Sequence, residues 1–357
     1  MSGNSGANTN CSTRWRVEEL PAWRGYSLEW ASQESLLLAR RQHIYEVDGW
    51  NTEKRKVASF PMTWWQRAGV ALRPAQRLLR LMYYNLVPLA GNAWFATFGK
   101  CGAVLRDGRF QPLAGLRRPC RVLRGGCAVT GENEAFFGEY IDNRQRDAVM
   151  VYRLDGSDGR VNVAHSFPAG SVRHVHGIYR DPFTADLWCL TGDRDGECQM
   201  LRSRDRFATI DVVGAGDESW RAVSVQFSRD AIYYATDAEF TQNHLYRIDR
   251  RTWRREMLCP TGGPVYYSCC SGADMFFAVT AEICPSQADR RATLWHVAHD
   301  DQVEPVLQLE KDFLHKRYFM PGTLHFPGGP GIAGQVFFHA VGLRTADNRL
   351  FSVRRAA

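Results

Sequence analysis

The sequence predicts an all-β chain folded as a seven-bladed β-propeller, with six blades as the alternative count. A unit recurs roughly every 40–60 residues along almost the whole length, which is the mark of a stacked or radial repeat. Its clearest piece is an aromatic-rich strand ending in small or acidic residues. It reads Ala135-Phe136-Phe137-Gly138-Glu139-Tyr140, Leu187-Trp188-Cys189-Leu190-Thr191-Gly192-Asp193 and Ile232-Tyr233-Tyr234-Ala235-Thr236-Asp237. It returns as Met275-Phe276-Phe277-Ala278-Val279 and Val336-Phe337-Phe338-His339-Ala340-Val341. Each copy follows a turn rich in Gly, Asp or Asn and precedes a further short strand, so the unit is four-stranded and antiparallel.

Taken in order, the innermost strands are expected at 26–32, 84–90, 121–130, 174–179, 221–228, 264–271 and 322–327. Second strands fall at 35–39 and 94–98 and then in the five aromatic segments. The last unit runs out of chain after its third strand. The segment 13–20, rich in Trp, Val and Leu, is expected to supply the missing outer strand and close the ring. One stretch departs from the pattern: in 62–83, Trp65, Val70, Leu72, Leu78, Leu79 and Met82 recur at nearly helical spacing, interrupted by Pro74. It reads as a helical insertion between the first two blades, and its arginines (Arg67, Arg73, Arg77, Arg80) read as a solvated face. The whole chain is read as one domain.

Composition fits this class. The chain has 357 residues, 45% of them apolar, with 31 Gly and 15 Pro to serve many turns. The net charge of +7 is spread among acidic residues without a dense basic stripe, which argues against nucleic acid. The polar start of the sequence carries no apolar signal segment, and 81–98 is broken by Asn85, Pro88, Gly91 and Asn92, so no membrane span is expected. The ten cysteines show no Cys-x-x-Cys spacing and read as reduced thiols, hence a cytoplasmic location.

In a propeller, the starts of first strands and the ends of second strands open on one face around the axis. Here those positions hold most of the unusual polar residues. Glu139, Asp193, Asp237, Glu239 and Glu282 stand at second-strand ends. Arg173, His174, Trp220, Arg221 and His325 stand at or near first-strand starts. His174 and His176 alternate on one strand and share a face, where they can ligate a metal, bond a sugar or move a proton. Alternatively they satisfy neighbouring carboxylates inside a polar channel. The acids, gathered from neighbouring blades, can supply the protonated and ionised carboxyl pair that glycosidic chemistry needs, or cap turns. Candidate catalytic residues are therefore Glu139, Asp193, His174 and Glu239. Candidate ligand-binding residues are Arg173, His176, Trp220, Arg221, Asp237, Glu282 and His325.

The segments Phe137-Gly138-Glu139-Tyr140, His174-Val175-His176-Gly177-Ile178-Tyr179-Arg180-Asp181-Pro182, Thr191-Gly192-Asp193 and Thr236-Asp237-Ala238-Glu239 resemble the sialidase-like (BNR, or Asp-box) propellers of bacterial surface-polysaccharide gene clusters. Ser203-Arg204-Asp205-Arg206-Phe207-Ala208-Thr209-Ile210 resembles a degenerate Asp-box, with Phe207 and Ile210 at that motif's Gly and Trp positions. The resemblance implies a propeller in a carbohydrate context. The expected partner is an acidic or polyhydroxylated sugar, with no cofactor. Two alternatives stand beside it. One is a sugar lyase or isomerase holding a divalent metal ion on His174, His176 and His325. The other is a non-catalytic scaffold or sugar sensor with protein partners.

Overall fold

The computed structural model describes residues 9–48, 53–131, 133–287 and 289–356. Seven antiparallel sheets form a seven-bladed propeller, and the six-bladed alternative is discarded. Blade 1 comprises Ser27–Ala31, Ser35–Arg40, His43–Asp48 and Arg55–Ser59; blade 2 comprises Tyr83–Leu89, Ala93–Phe98, Cys101–Arg106 and Arg109–Pro112. Blades 3 to 6 begin on the inner strands Cys127–Thr130, His174–Arg180, Ala222–Phe227 and Val265–Ser271. Blade 7 takes Thr323–His325, Gln335–Val341 and Arg349–Arg355 from one end of the sequence and Trp15–Glu19 from the other. The clasp is in register from Trp15 opposite Arg355 to Glu19 opposite Phe351. The preceding pair Thr9–Asn10 adds a fifth, outermost strand to blade 6.

The recurring aromatic doublet has a simple physical cause. Successive side chains on a strand point to opposite faces, so two adjacent rings on the second strand serve two different blade interfaces. Phe136 packs with Val175 and Cys189 of blade 4, while Phe137 packs with Phe95 of blade 2. Phe276 and Phe277 divide in the same way between blades 7 and 5, as do Phe338 and Phe337 between blades 6 and 1. The hydrophobic core is thus seven clusters, one in each gap between blades. Each buried ring contributes roughly 1.5–3 kcal/mol relative to exposure.

The innermost strand expected at 121–130 is interrupted. Arg121 pairs with Tyr140, the backbone turns back from Leu123 to Gly126, and the strand resumes at Cys127. A Cβ at Gly126 would lie 3.0 Å from the Gly177 Cα, so the close approach of blade 4 requires glycine there. The turn throws Arg124 across the axis. Its guanidinium meets Glu29 of blade 1 at 2.8 Å and donates to the carbonyls of Tyr83 and Phe326, all in the interior.

The helical insertion is present as two short helices, α1 (Trp64–Ala71) and α2 (Arg73–Leu78). Thr63 and Gln66 form a reciprocal capping box at the start of α1. Two of the arginines expected in solvent are instead anchors. Arg73 forks onto both oxygens of Asp347 at 2.9 and 2.7 Å, and buried Arg77 pairs with Asp312 and donates to the Met320 carbonyl. Burial pushes the Asp347 and Asp312 carboxyls up, but Arg73 on one, and Arg77 with Lys311 on the other, outweigh it and hold both below the ordinary range. A depressed carboxyl stabilises the fold above its unfolded pKa of about 3.9, and that contribution is lost as pH falls through the folded value. Thermal stability is therefore expected to fall below about pH 4. The Asp312→Asn/Asp347→Asn double variant, already weaker at pH 6, should lose less on the same acidification; an equal loss would dismiss these pairs as the cause.

Candidate functional site at the axial mouth

One face of the propeller opens into a cavity of about 500 Å³, lined by residues from blades 2 to 7 and from the loops between them. The strand-start and strand-end rule holds for seven of the predicted residues: Arg173, His174, His176, Asp193, Arg221, Asp237 and Glu282 all line it. Thr323, Tyr140, Tyr266 and Tyr267 join them.

Asp193 is the hub. Its carboxylate takes Arg173 Nη1 at 2.7 Å and Arg221 Nη2 at 3.3 Å, with His174 Nε2 and His176 Nε2 at 3.4 and 3.5 Å. Its backbone has φ +135°, a region that non-glycine residues rarely occupy and that accumulates at functional sites. Burial pushes this carboxyl up, and the imidazoles of His174 and His176 more than reverse the effect, leaving it far below the usual carboxylate range. Arg221 also reaches Asp237 Oδ2 at 3.3 Å. Asp237 behaves in the opposite sense: burial raises it well above the ordinary range, Arg221 opposes, and Glu282, Asp193 and Glu218 add to the rise. Two carboxyls bridged by one guanidinium are thus driven apart, Asp193 toward the ionised form and Asp237 toward the protonated one.

Glu282 accepts from the Tyr266 hydroxyl at 2.8 Å. Tyr140 lies over His174 with ring centroids 4.2 Å apart. Burial depresses the proton affinity of His176.

Four predicted residues lie elsewhere. Glu139 is fully buried on the blade 2 side of blade 3, where Arg118, the Tyr152 hydroxyl and the Met150 amide satisfy it. Trp220 stacks on Tyr234 under the Arg255 guanidinium, over a glycine, Gly214, whose Cβ would overlap its ring. Glu239 is exposed on a loop whose backbone amides wrap the Glu218 carboxylate. His325 is buried against Thr323, Tyr267 and His339 and does not line the cavity. Among the described residues, the trio with metal-ligand spacing is His174, His176 and Asp193 rather than one including His325.

Arg80, Lys100 and Lys316 also line the mouth. Arg80 follows α2 in a left-handed turn and is carried there by the anchored insertion. Lys100 stands in the turn after the second strand of blade 2, and Lys316 in a turn before blade 7. The net charge gave no hint of their convergence; the basic run of the insertion and the second-strand-end position of Lys100 were the available signals.

The Asp-box-like turn is structural. Asp205 accepts from the Thr209 amide at 2.8 Å and Ser203 Oγ from the Phe207 amide at 2.7 Å, tying the third strand of blade 4 to the fourth. Asp249 ties the same corner of blade 5.

No family model and no curated protein matches this sequence. Solved structures match in fold. An oligogalacturonate lyase in complex with manganese is 10% identical with a TM-score of 0.60, covering 98% of this chain and 96% of that one. A chain of the mitotic checkpoint complex is 10% identical with a TM-score of 0.57, covering 100% and 98%. YCF48 bound to D1 peptide is 10% identical with a TM-score of 0.55, covering 97% and 96%. No helix among the described residues is long and apolar enough to cross a membrane. At this identity the likeness concerns architecture alone, and the architecture is a β-propeller.

Proposed function

We propose that the axial mouth binds an acidic, polyhydroxylated ligand of the sugar class. One observation carries the reading. The four acids of the mouth are already engaged by Arg173, Arg221 or Tyr266, whereas Arg80, Lys100, Arg121 and Lys316 have no carboxylate at ion-pair distance among the described residues. The Nε of Arg121 is buried without a hydrogen-bond partner. Unpaired guanidinium and ammonium groups around a concave site favour carboxylate or phosphate. Tyr84, Tyr140, Tyr266 and Tyr267 add ring faces and hydroxyls suited to a sugar ring. The cavity volume is in the range that takes a small ligand.

A second reading, acid-assisted cleavage of the bound sugar's glycosidic bond, is favoured by Asp237. It lines the cavity, and burial raises its proton affinity, the direction a general acid needs.

Calorimetric titration with short uronic acid oligomers and with neutral hexose oligomers tests the binding. Uronates are expected to bind and neutral oligomers to bind at least tenfold more weakly. The Arg121→Ala/Lys316→Ala double variant should lose roughly 100-fold or more, since each charged hydrogen bond contributes about 1.5–3 kcal/mol. Equal affinity for neutral and acidic oligomers overturns the proposal. Asp237→Asn should leave binding intact and stop any cleavage.

A further inference from the structure

We propose that His174 Nε2, His176 Nε2 and Asp193 Oδ1 hold a divalent transition-metal ion at the floor of the mouth. That the ion's open positions receive the acid group of the ligand rests on the reading above; the metal site itself does not.

The argument begins with hydrogen-bond bookkeeping. His174 Nδ1 lies 2.9 Å from the Ile141 carbonyl and His176 Nδ1 lies 2.7 Å from the Ala222 carbonyl. A carbonyl only accepts, so each Nδ1 carries the hydrogen, and when a ring is neutral its Nε2 presents a bare lone pair. Both lone pairs face the same Asp193 oxygen. Three acceptors thus converge; Arg221 Nη2 approaches the Asp193 oxygen at 3.3 Å, but His174 Nε2 is buried without any hydrogen-bond partner. Positive charge between the three would satisfy them.

Protons on both rings could supply it as hydrogen bonds to Asp193, beside the Arg173 and Arg221 guanidiniums already on that carboxylate. The distances suit a metal better. The separations of 3.4 and 3.5 Å exceed the roughly 2.7–3.2 Å of a good hydrogen bond. Donors each about 2.0–2.1 Å from one tetrahedral ion stand roughly 3.4 Å apart.

The surroundings are those of a built site. Backbone carbonyls fix both rings through Nδ1, and Arg173 holds the other oxygen of Asp193, as outer partners of metal ligands do. The inner strand of blade 4 bulges at His176, which has no partner opposite it, and the two rings stand 5.1 Å apart. Gly192 precedes the third ligand; a Cβ there would come within 3.1 Å of His176 Cε1 and of Arg221 Cγ. The donor set of two imidazoles and one carboxylate suits Zn²⁺, Mn²⁺, Co²⁺ or Ni²⁺ over Mg²⁺ and Ca²⁺, which take oxygen. Three protein donors leave positions open toward the cavity.

The full chain, stripped with a chelator and dialysed, is titrated calorimetrically with Zn²⁺, Mn²⁺ or Co²⁺ alone, with no sugar present. One equivalent is expected to bind. His174→Ala, His176→Ala and Asp193→Ala should each weaken it at least 100-fold, and His325→Ala should stay within twofold of wild type. Loss of binding in His325→Ala, or wild-type binding no tighter than that of the His174→Ala/His176→Ala double variant, overturns the site. Should the alanine variants misfold, the wild-type protein decides alone: bound Co²⁺ is expected to show the intensified visible bands of nitrogen-ligated, low-coordinate cobalt, and the spectrum of the hydrated ion refutes the proposal. Because sugar is absent, failure here leaves the anion site standing, and failure of uronate binding leaves this result standing.

Discussion

Replacing Arg221 with methionine is expected to cost about 3–5 kcal/mol of stability at pH 7, the usual consequence of removing one partner from a buried ion pair. The Arg221 side chain is 12% exposed and lies within 3.3–3.6 Å of Asp193, Asp237 and Glu218. Without it, those carboxyls face one another and Glu282 across the mouth. The pH dependence has a definite sign. Asp237 already holds its proton more tightly than an exposed aspartate, chiefly through burial, with Arg221 opposing. A carboxyl whose folded pKa exceeds its unfolded value of about 3.9 favours folding at low pH and loses that contribution as pH rises through the folded pKa. Removing Arg221 lifts the folded value further. The deficit of the variant should therefore be largest at neutral pH and narrow on acidification from pH 7 to 5, read as the urea midpoint relative to wild type. A deficit that widens on acidification would contradict the assignment of Arg221 as the group that balances Asp237.

The second large effect is expected at the axis itself. Glu29→Ala should cost about 3–5 kcal/mol, because it leaves the Arg124 guanidinium buried without its carboxylate. The Glu29→Leu/Arg124→Met double variant should recover most of that loss, since apolar replacement of both partners of a buried pair is often neutral. Wild type, the Glu29→Leu and Arg124→Met single variants and their double variant form a double-mutant cycle with an expected coupling of about 2 kcal/mol or more. Additive losses would mean that Arg124 is held by the Tyr83 and Phe326 carbonyls alone.

The architecture was legible because its physics is periodic. The aromatic doublets betray the blades: a second strand buried on both faces needs a large side chain at two adjacent positions. The ring closure was legible from an arithmetic shortfall, three strands in the last unit and one spare segment at 13–20. The kink that carries Arg124 was hidden, although Arg124-Gly125-Gly126 is its sequence cause. Strand propensity on either side masks a two-glycine turn.

At the site, topological position found Asp193 and Asp237 but equally nominated Glu139. Both Glu139 and Asp193 stand one residue beyond their second strand. The Glu139 amide continues the ladder to the Met150 carbonyl at 3.0 Å, and the side chain turns between blades. Asp193 leaves the ladder with positive φ and turns to the axis. That difference lies in one backbone torsion, which no residue pattern encodes. Arg80 and Lys316 were missed for another reason: they arrive from an insertion and from a connecting turn, outside the repeat whose regularity made the rest readable, whereas Lys100 stood just past the second strand of blade 2 and was passed over.

The closure of blade 7 also sets the order of events during folding. Apart from the Thr9–Asn10 strand on blade 6, blades 1 to 6 are each built from locally contiguous hairpins and can form from nearby chain. Trp15–Glu19 must wait for Arg349–Arg355; the Glu18–Arg354 contact spans 336 positions. Contacts of such separation bear the largest loop-closure entropy and form late. Until then both outer edges of the incomplete ring expose unpaired strand, the surface most prone to association. The interval before the two ends meet is therefore the period in which this protein depends most on dilution or on chaperones.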